Sequence, residues 1–308
     1  MKIKAWFAGA GSGLWMAATA LAGPLQHSNV VSDPAWVVHL DCDALRQTSI
    51  GKQLLMELDK PEAQKKFEVF QTVFNLDPRK DLRGVTLYSA TKSGPDGVAL
   101  AYADFDAARL LTLVQANQDY EVRPHGTNKI HSWIDEKKKS KDGDQRTFGA
   151  IHKGKVLILG QKEGRVAEAL DVLEGKQPTL ATSQRFAQIG ASGSSVFLTG
   201  GARALELPGN DLGAAVLNQA KLISLNAQET QDKAELKLTV ETASAETAKQ
   251  VGDICRGLVA VLALQSDKPD VVKLAKAVTV DQNAADTLVR FSMPVADVIE
   301  LIKGKAGK

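Results

Sequence analysis

The chain has 308 residues with 38 basic and 36 acidic side chains, and removing Lys2 and Lys4 with the first 22 residues leaves 36 of each sign. A body without net charge has no field to gather phosphate backbones or anionic lipid surfaces, so nucleic acid and the membrane surface are set aside as partners. The length suits one large domain or two small ones.

Residues 1–4 give a positive end, and residues 5–21 run uncharged through Trp6, Phe7, Leu14, Trp15 and Met16 to the small-x-small site Ala20-Leu21-Ala22. This pattern predicts a cleavable signal peptide over residues 1–22, with cleavage near Ala22 and a periplasmic or secreted product. The stretch is rich in Gly and Ala, barely reaches the roughly 20 residues of a spanning helix, and lacks a basic stop-transfer cluster. No membrane span is therefore expected after cleavage. No Cys follows the site, so a lipid anchor is not indicated.

From Trp36 short strands alternate with amphipathic helices. A strand is expected over 36–42, ending at Cys42, and Pro61 opens a helix with Phe67, Phe70 and Phe74 on one face. Residues 83–91 and 97–104, separated by turn-forming residues, predict an antiparallel hairpin. Asp106 is placed to cap a helix over 107–116. Two further hairpins pair 120–124 with 129–135 and 146–152 with 155–159, the latter turning at Lys153-Gly154. Lys137, Lys138, Lys139 and Lys141, beside Asp142-Gly143-Asp144, read as a solvated hairpin tip. Val166, Leu170 and Leu173 form a helical stripe that Gly175 closes.

Residues 176–193 read as a polar linker. Beyond it come a strand over 195–199, a hairpin over 221–242, and a helix capped by Ser244 with Val251, Cys255, Leu258 and Leu262 inward. Pro294 opens a last helix ending near Gly304. The order of elements in 34–175 resembles that in 194–304. The fold class expected is α+β, with antiparallel sheets packed by amphipathic helices in two pseudo-repeated halves.

The stretches Pro34-Ala-Trp-Val-Val-His-Leu-Asp, Thr48-Ser-Ile-Gly-Lys, Asn75-Leu-Asp-Pro-Arg-Lys-Asp-Leu-Arg-Gly and 166–176 (VAEALDVLEGK) resemble uncharacterised secreted proteins of planctomycete and verrucomicrobial bacteria. The resemblance covers the mature chain and implies an exported α+β protein. No activity comes with it.

Asp41-x-Asp43 at the end of an apolar strand matches the nucleophile and acid of haloacid dehalogenase phosphatases. The parallel sheet and partner residues of that chemistry are missing, and Asp43 is read more simply as a cap or turn residue. Ser89-Ala-Thr-Lys92 fits a Ser-x-x-Lys pattern, but on a turn rather than the helix that chemistry needs. His125, His131 and His152 lack the spacing of a metal motif and read as isolated strand histidines. Trp36 and Trp133 read as core. Cys42 and Cys255 read as small buried hydrophobes, with their pairing left open.

No catalytic, cofactor-binding or metal-binding residue is assigned, and no cofactor is expected. The expected function is a non-enzymatic binding or scaffolding protein of the bacterial envelope, its partner a protein, an envelope polymer or an apolar ligand in a cleft between the halves. The alternatives are an envelope hydrolase using Asp41 and Asp43, which predicts a pocket where both converge with other polar groups, and a small-lipid carrier, which predicts a closed apolar cavity in the sheet mouth.

Overall fold

The computed structural model describes residues 23–92, 95–134, 145–186, 189–190, 195–203, 214, 218–265 and 268–306. The expected signal segment and the lysine cluster at 137–141 lie outside the described residues. Among those described are eight α-helices and twelve strands that join one antiparallel sheet. The architecture is α+β, as the adjacent hairpins imply.

The first strands are β1 (Trp36–Asp41), β2 (Gly84–Ser89) and β3 (Gly97–Tyr102). They are followed by β4 (Glu121–His125), β5 (Asn128–Ile134), β6 (Arg146–His152) and β7 (Val156–Gly160). Then come β8 (Val196–Arg203), β9 (Leu222–Thr230), β10 (Lys233–Glu241), β11 (Val278–Asn283) and β12 (Asp286–Pro294). Their order across the sheet is β11-β12-β10-β9-β8-β1-β2-β3-β7-β6-β5-β4. β1 and β8 lie side by side in the middle, and each is followed outward by the next hairpin in its half. The β6–β7 turn uses positive φ at Lys153 and Gly154, and the β9–β10 turn does so at Gln231 and Asp232. The two-residue β9–β10 turn matches the twist of the strands it joins, and the β6–β7 connection spans three residues, 153–155.

The helices are α1 (Cys42–Gln47), α2 (Ser49–Leu58), α3 (Pro61–Phe74) and α4 (Ala107–Gln115) in the first part of the chain. They continue with α5 (Glu163–Leu173), α6 (Ala245–Ala263), α7 (Pro269–Lys276) and α8 (Val295–Ala306). The sequence signals for several ends are realised. Asp106 accepts the Arg109 amide at 3.1 Å, Ser244 accepts that of Thr247 at 3.2 Å, and Gly175 takes a positive φ of 72° after α5.

Because the sheet is antiparallel throughout, the register fixes which side chains share a face. One row runs Ile158, Leu100, Thr86, His39 and on to Thr199, Asn226, Lys237 and Arg290. This inner face is mostly apolar over β1–β3, β6 and β7, and polar at β4, with Glu121, Arg123 and His125, and from β8 onward. Helix α5 covers its apolar part with Val166, Ala169, Leu170 and Val172, all within the main core. The opposite, outer face is apolar across the whole sheet, and α2, α4, α6 and α8 lie against it.

Several expectations change. The first strand ends at Asp41, and Cys42 begins α1 because Asp41 caps it. The strand expected over 195–199 continues through Gly200 and Gly201 to Arg203. The segment read as a polar linker contributes Leu180, Phe186 and Ile189 to the main core and pairs Thr179 with Val31, so apolar residues spaced along a polar stretch bind it to the sheet. Leu262 is 42% exposed rather than inward, since α6 outruns the sheet beneath it. Both cysteines are free.

The difference between the two faces is measurable. Leu170→Ala removes a fully buried side chain and is expected to cost about 2–5 kcal/mol in denaturant unfolding. Leu110→Ala in the half-exposed α4 is expected to cost about 1 kcal/mol.

Candidate functional site

The outer face carries one side chain from every strand in a single row: Val122, His131, Gly149, Leu159, Ala99 and Leu87 on one side of the centre, then Val38, Gly200, Leu225, Leu238, Val289 and Val280. Apolar at nearly every position, this row asks for a cover of helices. The cover is incomplete. Leu87 in the middle of the sheet is 42% exposed, while its inner-face neighbour Tyr88 is 2% exposed.

A recess of this face lies under α4. Leu110, Leu113 and Val114 form its roof, and Trp133, Ile151 and Leu159 its floor, around a volume of about 170 Å³. None of the residues of α4 is buried. Gly149 shapes the floor, because a Cβ there would sit 3.1 Å from the Leu159 side chain and 3.2 Å from the Trp133 ring. His131 stands at the edge with its Nδ1 2.7 Å from the Tyr120 hydroxyl, and the two rings stack. Burial, with Lys129 nearby, lowers its pKa, so the ring is neutral at neutral pH. Apart from His131, whose Nδ1 is engaged by the Tyr120 hydroxyl, the lining is apolar. It retains apolar groups by removing them from water, and a dry apolar cavity of about 150 Å³ already accommodates a benzene-sized molecule.

The residues singled out in the sequence do not gather there. Asp41 is buried, and its carboxylate accepts the Ala44 amide at 2.8 Å. Asp43 is paired with the Arg46 guanidinium, which also donates to the Leu82 carbonyl at 2.8 Å. Each carboxylate is therefore engaged within its own turn. His125 bonds Asp171 of α5 at 3.0 Å on the inner face, His152 lies on that same face, and His131 faces outward. The three histidines do not converge, and no group of three metal-ligating side chains occurs among the described residues. Ser89 ends β2, buried, with its hydroxyl accepting the Thr91 amide at 3.2 Å. Trp36 is half-buried, and Trp133 lines the recess instead of a closed core.

Sequence reading missed the recess itself. Its signals are the unbroken apolar run of β7, which makes a strand apolar on both faces, and the close-set Leu110, Leu111, Leu113 and Val114 of a helix too short to bury them all.

A second polar feature belongs to the inner core. His39 is buried between the Thr86 hydroxyl, 2.9 Å from Nδ1, and the Gly23 carbonyl, 2.9 Å from Nε2. Thr86 in turn donates to the Tyr102 hydroxyl at 3.3 Å. Burial lowers the pKa of His39 and raises that of Tyr102. These contacts satisfy buried polar groups and fix β1 against β2 and β3, which is a structural task.

No family model and no curated protein matches the chain. Its fold is similar to that of TP0453, a Treponema protein. Crystal form III of TP0453 superposes with a TM-score of 0.51 over 92% of this chain and 98% of that one, at 8% identity. Crystal forms I and IV give a TM-score of 0.47 at 7% identity. The likeness is one of fold alone. No helix among the described residues is long and apolar enough to cross a membrane.

Burial lowers the pKa of His39, His131 and His152 alike. Protons therefore bind the unfolded chain first as pH falls below about 6.5, so stability present above that pH is lost on acidification, the loss being complete once the folded pKa values are passed. Urea unfolding should show a lower midpoint at pH 5 than at pH 7.5, with a smaller difference in His39→Gln. Thr86→Val, which strips a partner from both His39 and Tyr102, is expected to cost about 1–3 kcal/mol.

Proposed function

We propose that the protein is an exported, non-enzymatic binding protein of the bacterial envelope. Its recess beneath α4 holds an apolar molecule or the hydrocarbon chain of an amphiphile, as a small-lipid carrier does. The observation that carries this reading is the apolar lining, broken only by His131 at its edge, of a recess roofed by a helix with no buried residue. Such a helix is held by little buried apolar packing and moves aside at low cost, which lets a half-open apolar recess admit its ligand.

Export is supported by the charged, apolar and small-residue succession of residues 1–22 and by the resemblance to secreted planctomycete and verrucomicrobial proteins. Duplication of an ancestral half is supported by the strand order, in which β1-β2-β3 and β8-β9-β10 run outward from a shared centre. The hydrolase alternative draws no support from Asp41 and Asp43, each spent on a helix turn rather than on a common pocket. The apolar ligand also belongs elsewhere than the cleft between the halves, since the cleft at that junction is lined by cations.

The test uses 8-bromooctanoate, whose bromine quenches a tryptophan it touches. Saturable quenching of Trp133 is expected, retained in Trp36→Phe and weakened at least about tenfold in Leu113→Asp, which brings a charge to the roof. Quenching of equal affinity in Leu113→Asp contradicts the reading.

A further inference from the structure

At one end of the central strands the chain gathers charge that the apolar recess does not use. A cleft of about 750 Å³ is lined there by Ala35 ahead of β1, Ala90 to Lys92 beyond β2, Arg203 at the end of β8, Lys221 and Leu222 at the start of β9, Glu241 at the end of β10, and Arg185. It shares no residue with the recess beneath α4. Lys92, Arg185, Arg203 and Lys221 are cationic, and Glu241 is the one acid of the lining. In a protein whose mature composition is neutral, this is a local excess of positive charge at the seam where the two halves meet.

One position between these cations already holds an anion. Asp33 accepts from Arg203 Nη1 at 2.9 Å and lies 3.6 Å from Arg185 Nη1, and its backbone carbonyl accepts from Arg203 Nη2 at 3.2 Å. The Asp33 side chain is 60% exposed, so an incoming anion displaces it without uncovering a buried charge. The two lysines extend the field sideways. β9, β8, β1 and β2 are successive neighbours, so Lys221 and Lys92 stand three inter-strand steps apart, on the order of 14 Å at about 4.8 Å per step.

We infer that this cleft binds a multiply charged anion, a chain of several phosphate or carboxylate groups long enough to reach from Lys221 past the two arginines to Lys92. A volume of this size suits a small molecule, and the spread of cations exceeds what one phosphate touches. Arginine supplies forked recognition at the centre, and the lysines supply point charges at the ends.

The experiment is calorimetric titration of the full chain with inorganic tripolyphosphate, with 1,2,3,4-butanetetracarboxylate, and with orthophosphate. Binding by tripolyphosphate or by the tetracarboxylate, weakening with salt, is expected and distinguishes a phosphate from a carboxylate source. Orthophosphate should bind at least about tenfold more weakly. The double variant Lys92→Gln/Lys221→Gln, at exposed positions, should lose about tenfold or more, and Arg185→Gln should also weaken binding. A control pair, Lys129→Gln/Lys249→Gln, removes the same charge elsewhere and should leave binding within about twofold. No binding by either polyanion, equal affinity for orthophosphate, or equal loss in the control pair would overturn the assignment.

Discussion

A β-strand shows alternate residues to opposite sides, so a sheet that is apolar on both sides must be covered twice. Here the outer face is mostly apolar from β4 to β11, while the inner face is apolar mainly over β1–β3, β6 and β7 and polar at β4 and from β8 outward. That asymmetry organises the helices. One of them, α5, seals much of the inner side of the first half, together with Leu25, Val30, Val31, Leu180, Phe186 and Ile189. The inner side of the second half is polar, and α2, α4, α6 and α8 lie against the long outer face.

The seal on the inner face depends on β8 as much as on α5. A Cβ on Gly201 would lie 1.8 Å from the Ile189 side chain, and one on Gly200 would lie 3.0 Å from the Val37 carbonyl. Absence of side chains at these two positions lets Phe186 and Ile189 lie flat on the strand and draws β8 close to β1. The halves are thereby fused through one continuous sheet, not tethered by a spacer. The core beneath α5 is dry and its His39–Thr86–Tyr102 contacts are satisfied, whereas on the outer face the cover by α4, a helix with no buried residue, is partial and leaves the recess.

Much of this was readable in the residues. Hairpins with short polar turns, the caps at Asp106 and Ser244, and Pro61 and Gly175 at helix ends are local devices, and local devices survive into the structure. What was not readable depends on neighbours distant in the chain. The polar stretch of 176–193 reads as a linker because its few apolar residues lack a period, and only Gly201 of β8, 15 residues after Phe186 and 12 after Ile189, explains why those two side chains find a place on the sheet. Trp133 reads as core because alternation gives its face but not whether that face is closed. The carboxylates Asp41 and Asp43 stand where a catalytic pair would stand, yet a cap and an ion pair within one turn use the same residues. The seam of cations was illegible for a simple reason: Lys92, Arg185, Arg203 and Lys221 are brought together by pairing β1 with β8.

The central claim is that α4 is a loosely held roof over a space that apolar matter fills. Hydrogen–deuterium exchange across residues 107–115, in plain buffer and in buffer saturated with n-octane, tests it without any head group to confuse the result. The amides of α4 should exchange much faster than those of α5 in plain buffer and slow on adding octane, while α5 stays unchanged. Exchange in α4 as slow as in α5, or indifferent to octane, would contradict it.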